Sequence, residues 1–262
     1  MSDTLNVTGL DESERAALAR LIVTLADSKR LMGIRYSDWV LGAPSIETGV
    51  ATSSMAQDEW GHARLLYAML KELGLDPEPY EYDREGGRYA SLAALDEAAA
   101  DWAVLVAMMT LVDGALSVVL ESFAGGSFEP ARTRVPKMLA EEKFHSSLGV
   151  AWYRRLADTE GEARGLLADA TSAMLPSLLA WVGASDEGAQ ALVAAGVLEP
   201  ADDRVTAFKD AVRELVTSAG VDVDDVDVGT DWDSDRGRSS GRPNEEAVAR
   251  ARGDLNRGLL VE

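Results

Sequence analysis

The sequence predicts an all-α protein, a bundle of four long helices followed by additional C-terminal helices. Three observations carry that reading. Apolar residues recur at spacings of three and four along most of the chain. Glycine and proline punctuation falls where long helical segments should end. No convincing strand-like alternation appears over the core of the chain.

The elements follow in order. Asp11-Glu12-Ser13-Glu14 supplies a cap and first-turn acids, and Leu18, Leu21, Ile22 and Leu25 then mark one face of a first helix from about residue 12 to the mid-thirties. Gly42-Ala43-Pro44-Ser45 interrupts it, and Ser45 with Glu47 opens a second helix over 46–73 that stops at Gly74. A long connection rich in Pro, Tyr, Glu and Gly covers 75–89. Ser91 caps a third helix over 92–123, and a fourth runs from Pro130 through Ala157, since proline is tolerated in a first helical turn. One or two helices fit 163–182 and another fits 201–219. Four long helices, with short links inside each pair and a longer crossover between the pairs, describe a ferritin-like bundle. The expected organisation is therefore a bundle over 1–220 and an acidic connector with a terminal helix over 221–262, packed on or beside it.

Composition narrows the functions. The chain has 262 residues, with 25 Lys and Arg against 45 Asp and Glu, a net charge of −20. Such a surface repels phosphate backbones, so nucleic acid is not an expected partner. Cysteine is absent, which removes disulfides, thiolate metal sites and cysteine nucleophiles. The N-terminus lacks the basic and apolar blocks of a secretory signal, and the most apolar stretch, 103–119, contains Asp113. No membrane partner is expected, and the expected location is the cytoplasm.

Only two histidines exist, and each lies three residues after a glutamate: Glu59-Trp60-Gly61-His62 and Glu142-Lys143-Phe144-His145. Glutamate makes up about 8% of the chain, so two such coincidences arise by chance about once in 150. Each pair also follows another acid, Asp58 or Glu141, in the middle of a long helix. Residues three apart share a helix face, so a carboxylate and an imidazole can reach one metal ion. Two facing helices of this kind hold two ions, and oxygen-rich ligation with one imidazole per ion favours iron or manganese over structural zinc. The other two helices must each add a carboxylate. Asp113, the only acid between Trp102 and Leu120, is the candidate on the third; on the first, Asp27 is the only mid-helix acid, beside Lys29 and Arg30. The competing reading is two solvated Glu/His pairs on amphipathic helices, against which stand the duplication, the scarcity of histidine and Asp113. Trp60 and Phe144 are expected to pack in the core.

At these residues the sequence resembles the phenylacetic-acid catabolic family, the ferritin-like A and C subunits of phenylacetyl-CoA epoxidase. The segment from Gln57 to Tyr67, QDEWGHARLLY, is similar to the family's QDE-x-GHA-x-x-LY stretch. Leu111 to Ala115 resembles the third-helix segment of the catalytic subunit, and Glu141 to His145 resembles its EE-x-FH motif. Asp38-Trp39 and Ala43-Pro44 match the first hairpin.

The resemblance implies that Glu59, His62, Asp113, Glu142 and His145 are metal ligands, with Glu59 and Glu142 bridging a di-iron pair. One position departs. The family's first-helix glutamate lies ten residues before the hairpin tryptophan, and counting back from Trp39 gives Lys29. Asp27 lies about 200° around the helix from Lys29 and is no simple substitute. Glu59, Glu142 and Lys29 are thus the candidate catalytic positions. The short chain and the glycine–arginine turn from Gly237 to Pro243 are similar to the C-type subunit, which is structural.

The resemblance implies a subunit of a multicomponent monooxygenase of phenylacetate catabolism. Its expected cofactor is a di-iron centre if the site is functional, or none. Its expected partners are a homologous ferritin-like subunit or a second copy, a reductase, and an aromatic acyl-CoA substrate. Two alternatives stand beside it: a non-catalytic scaffold in which Lys29 replaces metal charge, and a stand-alone ferritin-like metal-binding or ferroxidase protein. Arg30, Arg35, Arg154 and Arg155 are candidates for gripping a CoA phosphate or for ordinary surface and interface contacts.

Overall fold

The computed structural model describes residues 10–259 and is all-α and ferritin-like in class. The helices are α1 (Glu12–Asp38), α2 (Ile46–Ala68), α3 (Pro77–Tyr82), α4 (Trp102–Ala107), α5 (Asp113–Gly125), α6 (Glu129–Ala157), α7 (Glu162–Val182), α8 (Glu187–Ala194), α9 (Ala201–Ala219) and α10 (Glu245–Arg252). Among the described residues the only strands are two-residue β1 (Trp232–Asp233) and β2 (Arg238–Ser239), which pair with each other.

Local chemistry sets the ends. Asp11 accepts from the Glu14 amide at 2.8 Å while Glu14 accepts from the Asp11 amide at 3.0 Å, a reciprocal cap that starts α1. Ser45 accepts from the Thr48 amide at 3.2 Å to start α2. A 3₁₀ turn, Met69–Leu73, then closes on Gly74, whose φ of 74° suits glycine. α6 opens with Pro130 in its first turn, as its sequence predicts.

The expected third helix starts ten residues late. The alanine-rich stretch after Ser91 favours helix, yet the long helix begins at Trp102, capped by Asp101 accepting from the Val104 amide at 2.9 Å. Tertiary bonds override the local propensity. The Ala90 amide donates to Asp27 at 2.8 Å and the Leu92 amide to Ser28 at 3.0 Å. Arg35 claims the carbonyls of Leu95 at 2.9 Å and Asp96 at 3.1 Å, which are thereby drawn away from a helical ladder. The short helices α3 and α8 were also not expected; Asp76 and Asp186 cap them. The terminal helix ends at Arg252, where Gly253 adopts a φ of 72°.

The chain divides into two compact units. The α4–α9 unit comprises Ala99–Trp232 with residues 10–18. Here α5 packs on α6, with α7 and α9 completing the core around Leu116, Leu120, Phe123, Met138 and Leu178. Two stretches, Trp102–Gly125 and Glu162–Val182, are long and apolar enough to cross a membrane by length and composition; the apolar window of the first is 78% buried, which is how a core helix reads.

The α1–α2 unit comprises Ala19–Ala98 and residues 233–259. α1 and α2 approach closely where Gly33 faces Trp60: a Cβ at Gly33 would sit 2.4 Å from the indole nitrogen. The tail folds onto this unit. Arg238 is fully buried and bonds Asp96 and Ser91, and the Asn244 amide donates to the Asp96 carbonyl at 2.9 Å. α10 packs beside α3, with Arg30 donating to the Ala251 carbonyl and Arg250 to Asp38.

Candidate metal centre

In the α4–α9 unit the long apolar helix is interrupted by one π turn, Met108–Val112, immediately before Asp113. A π turn inserts an extra residue per turn and so rotates everything that follows, a device frequent at functional sites. Thr110 donates its hydroxyl to the Val106 carbonyl at 2.5 Å inside this turn. α6 lies directly on it: a Cβ at Gly149 would come within 3.1 Å of the Met109 Cβ. The close approach needs glycine there, and it brings the face of α6 that carries Glu142 and His145 towards Asp113.

Those three side chains converge. The His145 Nδ1 lies 3.5 Å from Glu142 and 3.9 Å from Asp113. One donor atom from each lies within 4.8 Å of the others, and all three residues are buried. At 3.5–3.9 Å these are not direct hydrogen bonds. They are separations that follow when donors about 2.1 Å from one ion stand roughly 110–140° apart around it. Two carboxylates and one imidazole suit iron or manganese. A cavity of about 240 Å³ opens on Asp113 and Glu142, bordered by Thr110, Ser117, Lys143 and Ser146.

In the α1–α2 unit Glu59 and His62 lie one turn apart on α2, both buried, as the spacing predicts. Lys29 on α1 is fully buried and points inward: its Nζ lies 3.0 Å from the Glu59 Oε1. The structure thus brings Asp113, Glu142 and His145 together in one unit, and Lys29 and Glu59, with His62 a turn away, in the other.

Asp27 is committed elsewhere. It accepts from Arg84, including Nη1 at 2.8 Å, from the Tyr67 hydroxyl and from the Ala90 amide at 2.8 Å. Four donors occupy its oxygens, which ties Asp27 to Arg84, Tyr67 and the loop at Ala90. Burial, reinforced by Asp27, pushes the Tyr67 phenol well above its ordinary range. Burial alone disfavours the Arg84 charge, but Asp27 beside it outweighs that and raises its pKa. Sequence reasoning missed this network. Tyr67 stands within a recognisable helix motif, but Arg84 lies in an irregular loop whose spacing to Asp27 carries no periodic signal.

Two expectations fail at the aromatics. Phe144 is 77% exposed and Trp60 is 38% exposed, so neither is a core residue. Each neighbours a buried member of a Glu/His pair on its helix, and a helix that turns those residues inward must turn the adjacent one outward. The candidate phosphate-binding arginines are also occupied. Arg30 pairs with Glu81 at 2.8 Å, Arg35 holds loop carbonyls and Asp38, Arg154 pairs with Glu214 at 3.0 Å, and Arg155 stacks over Trp152.

The fold and this cluster define a ferritin-like helical protein with buried carboxylates and imidazoles at metal-binding spacing. The chain belongs to the phenylacetic acid catabolic protein family, whose model matches residues 1–250. Membership implies a subunit of a phenylacetate catabolic oxygenase. No curated protein matches the chain.

Proposed function

We propose that this chain is a subunit of a phenylacetyl-CoA epoxidase-like multicomponent oxygenase, and that Glu59, His62, Asp113, Glu142 and His145 are metal ligands. The observation that carries the reading is the convergence of Asp113, Glu142 and His145 directly after a π turn, in a chain of this family. Iron bound there supplies dioxygen activation.

The chain's own residues do the rest. Asp113, Glu142 and His145 would hold the ion, on helices that otherwise turn apolar residues inward. The cavity bordered by Thr110, Ser117 and Ser146 gives small molecules a route to the same carboxylates. The partners are a homologous ferritin-like subunit, a reductase and an aromatic acyl-CoA.

One observation favours a second reading. The Lys29–Glu59 pair places a protein cation on a carboxylate that the first reading assigns to metal. In that reading the chain scaffolds a catalytic homologue. Reconstitution decides between them. With reductant, dioxygen and phenylacetyl-CoA, a complex of this chain and its homologue should form epoxide at a rate that falls at least about 100-fold in Glu142→Gln. Unchanged turnover in that variant leaves the scaffold reading, and turnover without this chain removes both.

A further inference from the structure

We infer that the cavity on Asp113 and Glu142 is the route by which a divalent cation reaches these carboxylates, with Glu121 capturing the ion at the exposed end and Ser117 as the step between. The inference rests on the metal reading proposed above, and every residue it uses belongs to the α4–α9 unit.

Register along α5 is the first argument. Asp113, Ser117 and Glu121 follow one another at intervals of four, so they share one side of the helix, about 6 Å apart along its axis. All three line the cavity, and their exposure grades outward: Asp113 is buried, Ser117 half-buried and Glu121 exposed. On α6 the same change takes one turn, from buried Glu142 to exposed Ser146.

Chemistry is the second argument. A divalent ion leaving bulk water gives up hydration oxygens, and an apolar passage would leave that loss uncompensated. Here a carboxylate or hydroxyl oxygen recurs at each turn of α5 from the surface to Asp113, and oxygen ligands suit hard cations. Ser147 donates back to its own helix, to the Lys143 carbonyl at 2.7 Å. The hydroxyls of Ser117 and Ser146 make no such bond among the described residues, which leaves them to the cavity they line. Lys143, the one basic side chain among the lining residues, is exposed and opposes the incoming charge. Glu121 lies about 12 Å along the helix from Asp113, beyond the screening length of about 8 Å at physiological ionic strength. It therefore acts on the ion's passage and not on its final affinity.

The test is the rate of metal loading. The full chain, stripped of metal, is mixed with Co(II) at physiological ionic strength and followed by stopped-flow visible absorption, with affinity measured separately by equilibrium dialysis. Glu121→Gln should slow both loading and release by at least about 5-fold, with the dissociation constant within about 2-fold of wild type. Ser117→Leu, which places a bulkier apolar side chain in the passage, should slow both further, whereas Lys143→Gln should quicken loading. Wild-type loading rates in both Glu121→Gln and Ser117→Leu overturn the route and leave the metal ligands standing. Slower loading of Glu121→Gln with unchanged release, and so a weaker affinity, makes Glu121 a ligand and also overturns it. No Co(II) bound by wild type overturns the metal reading, and the route with it.

Discussion

In the α1–α2 unit buried and half-buried acids are held by the protein's own cations: Glu59 by Lys29, Asp27 by Arg84 and the half-buried Asp96 by Arg238. In the α4–α9 unit two buried carboxylates gather around an imidazole at 3.5 and 3.9 Å. The difference separates two uses of buried charge. A carboxylate locked to a guanidinium or ammonium fixes a loop or a helix pair permanently, and removing the cation strands the acid. Carboxylates drawn together around a histidine suit a cation that arrives from outside, and folding bears the cost of bringing them together.

The comparison breaks most readily at Arg84. Arg84→Met should destabilise the protein by about 5 kcal/mol, because Asp27 is left buried and the carbonyls of Tyr80 and Arg88 lose their donor. Chemical denaturation with far-UV circular dichroism measures it; a loss below about 1 kcal/mol would sink the claim that this network is structural. Lys29→Met should cost the metal-free protein about 4 kcal/mol, and Lys29→Met with Glu59→Gln should recover most of it. A double variant no more stable than the single one would mean that Lys29 stabilises by packing, not by charge.

Each unit also buries a tyrosine, which allows a matched test. Burial pushes Tyr89 in the α1–α2 unit and Tyr153 in the α4–α9 unit up to about 12. Folding favours the neutral phenol, so its contribution is complete below the unfolded value of about 10 and disappears as pH rises to about 12. Two units correspond to about 3 kcal/mol for each residue. Denaturation midpoints followed across pH 9–12 should therefore fall steeply. Tyr153→Phe should flatten that fall while costing about 1 kcal/mol near neutrality through the lost bond to Thr171. An unaltered pH slope in that variant would remove Tyr153 from the account.

Smaller effects sharpen the other side. Asp113→Asn should change the stability of the metal-free protein by less than about 1 kcal/mol, since it relieves repulsion between neighbouring carboxylates while abolishing metal binding. A large stability loss would recast Asp113 as part of the structural scaffold. Phe144→Ser should change the stability of the isolated chain by less than about 0.5 kcal/mol, given its exposure. A drop comparable to a core truncation would show that its ring is covered.

Much of the helical framework was legible because its signals are local. Ser45 before the second helix, Pro130 at the start of the fourth and the glycine at 74 act within a few residues, and they mark the helix ends found. The stretch after Ser91 was misread because Asp27, Ser28 and Arg35, some sixty residues earlier, take its amides and carbonyls. The π turn before Asp113 escaped for a related reason. Its five residues, Met-Met-Thr-Leu-Val, read as ordinary apolar helix, and the extra residue is accommodated by packing against Gly149.

The sequence alone determined that Glu59 shares a face with His62 and Glu142 with His145, because helical geometry fixes the direction of residues three apart whatever surrounds them. It also placed a lysine, Lys29, ten residues before Trp39 on the first helix. Only the tertiary structure decided what that lysine does. Four flexible methylenes let its ammonium reach either water or a buried acid, and no periodicity in the chain distinguishes these ends. The packing of α1 on α2 closes the outward route and leaves Nζ 3.0 Å from Glu59. Asp27 was decided in the same way, by an arginine from a loop 57 positions further on.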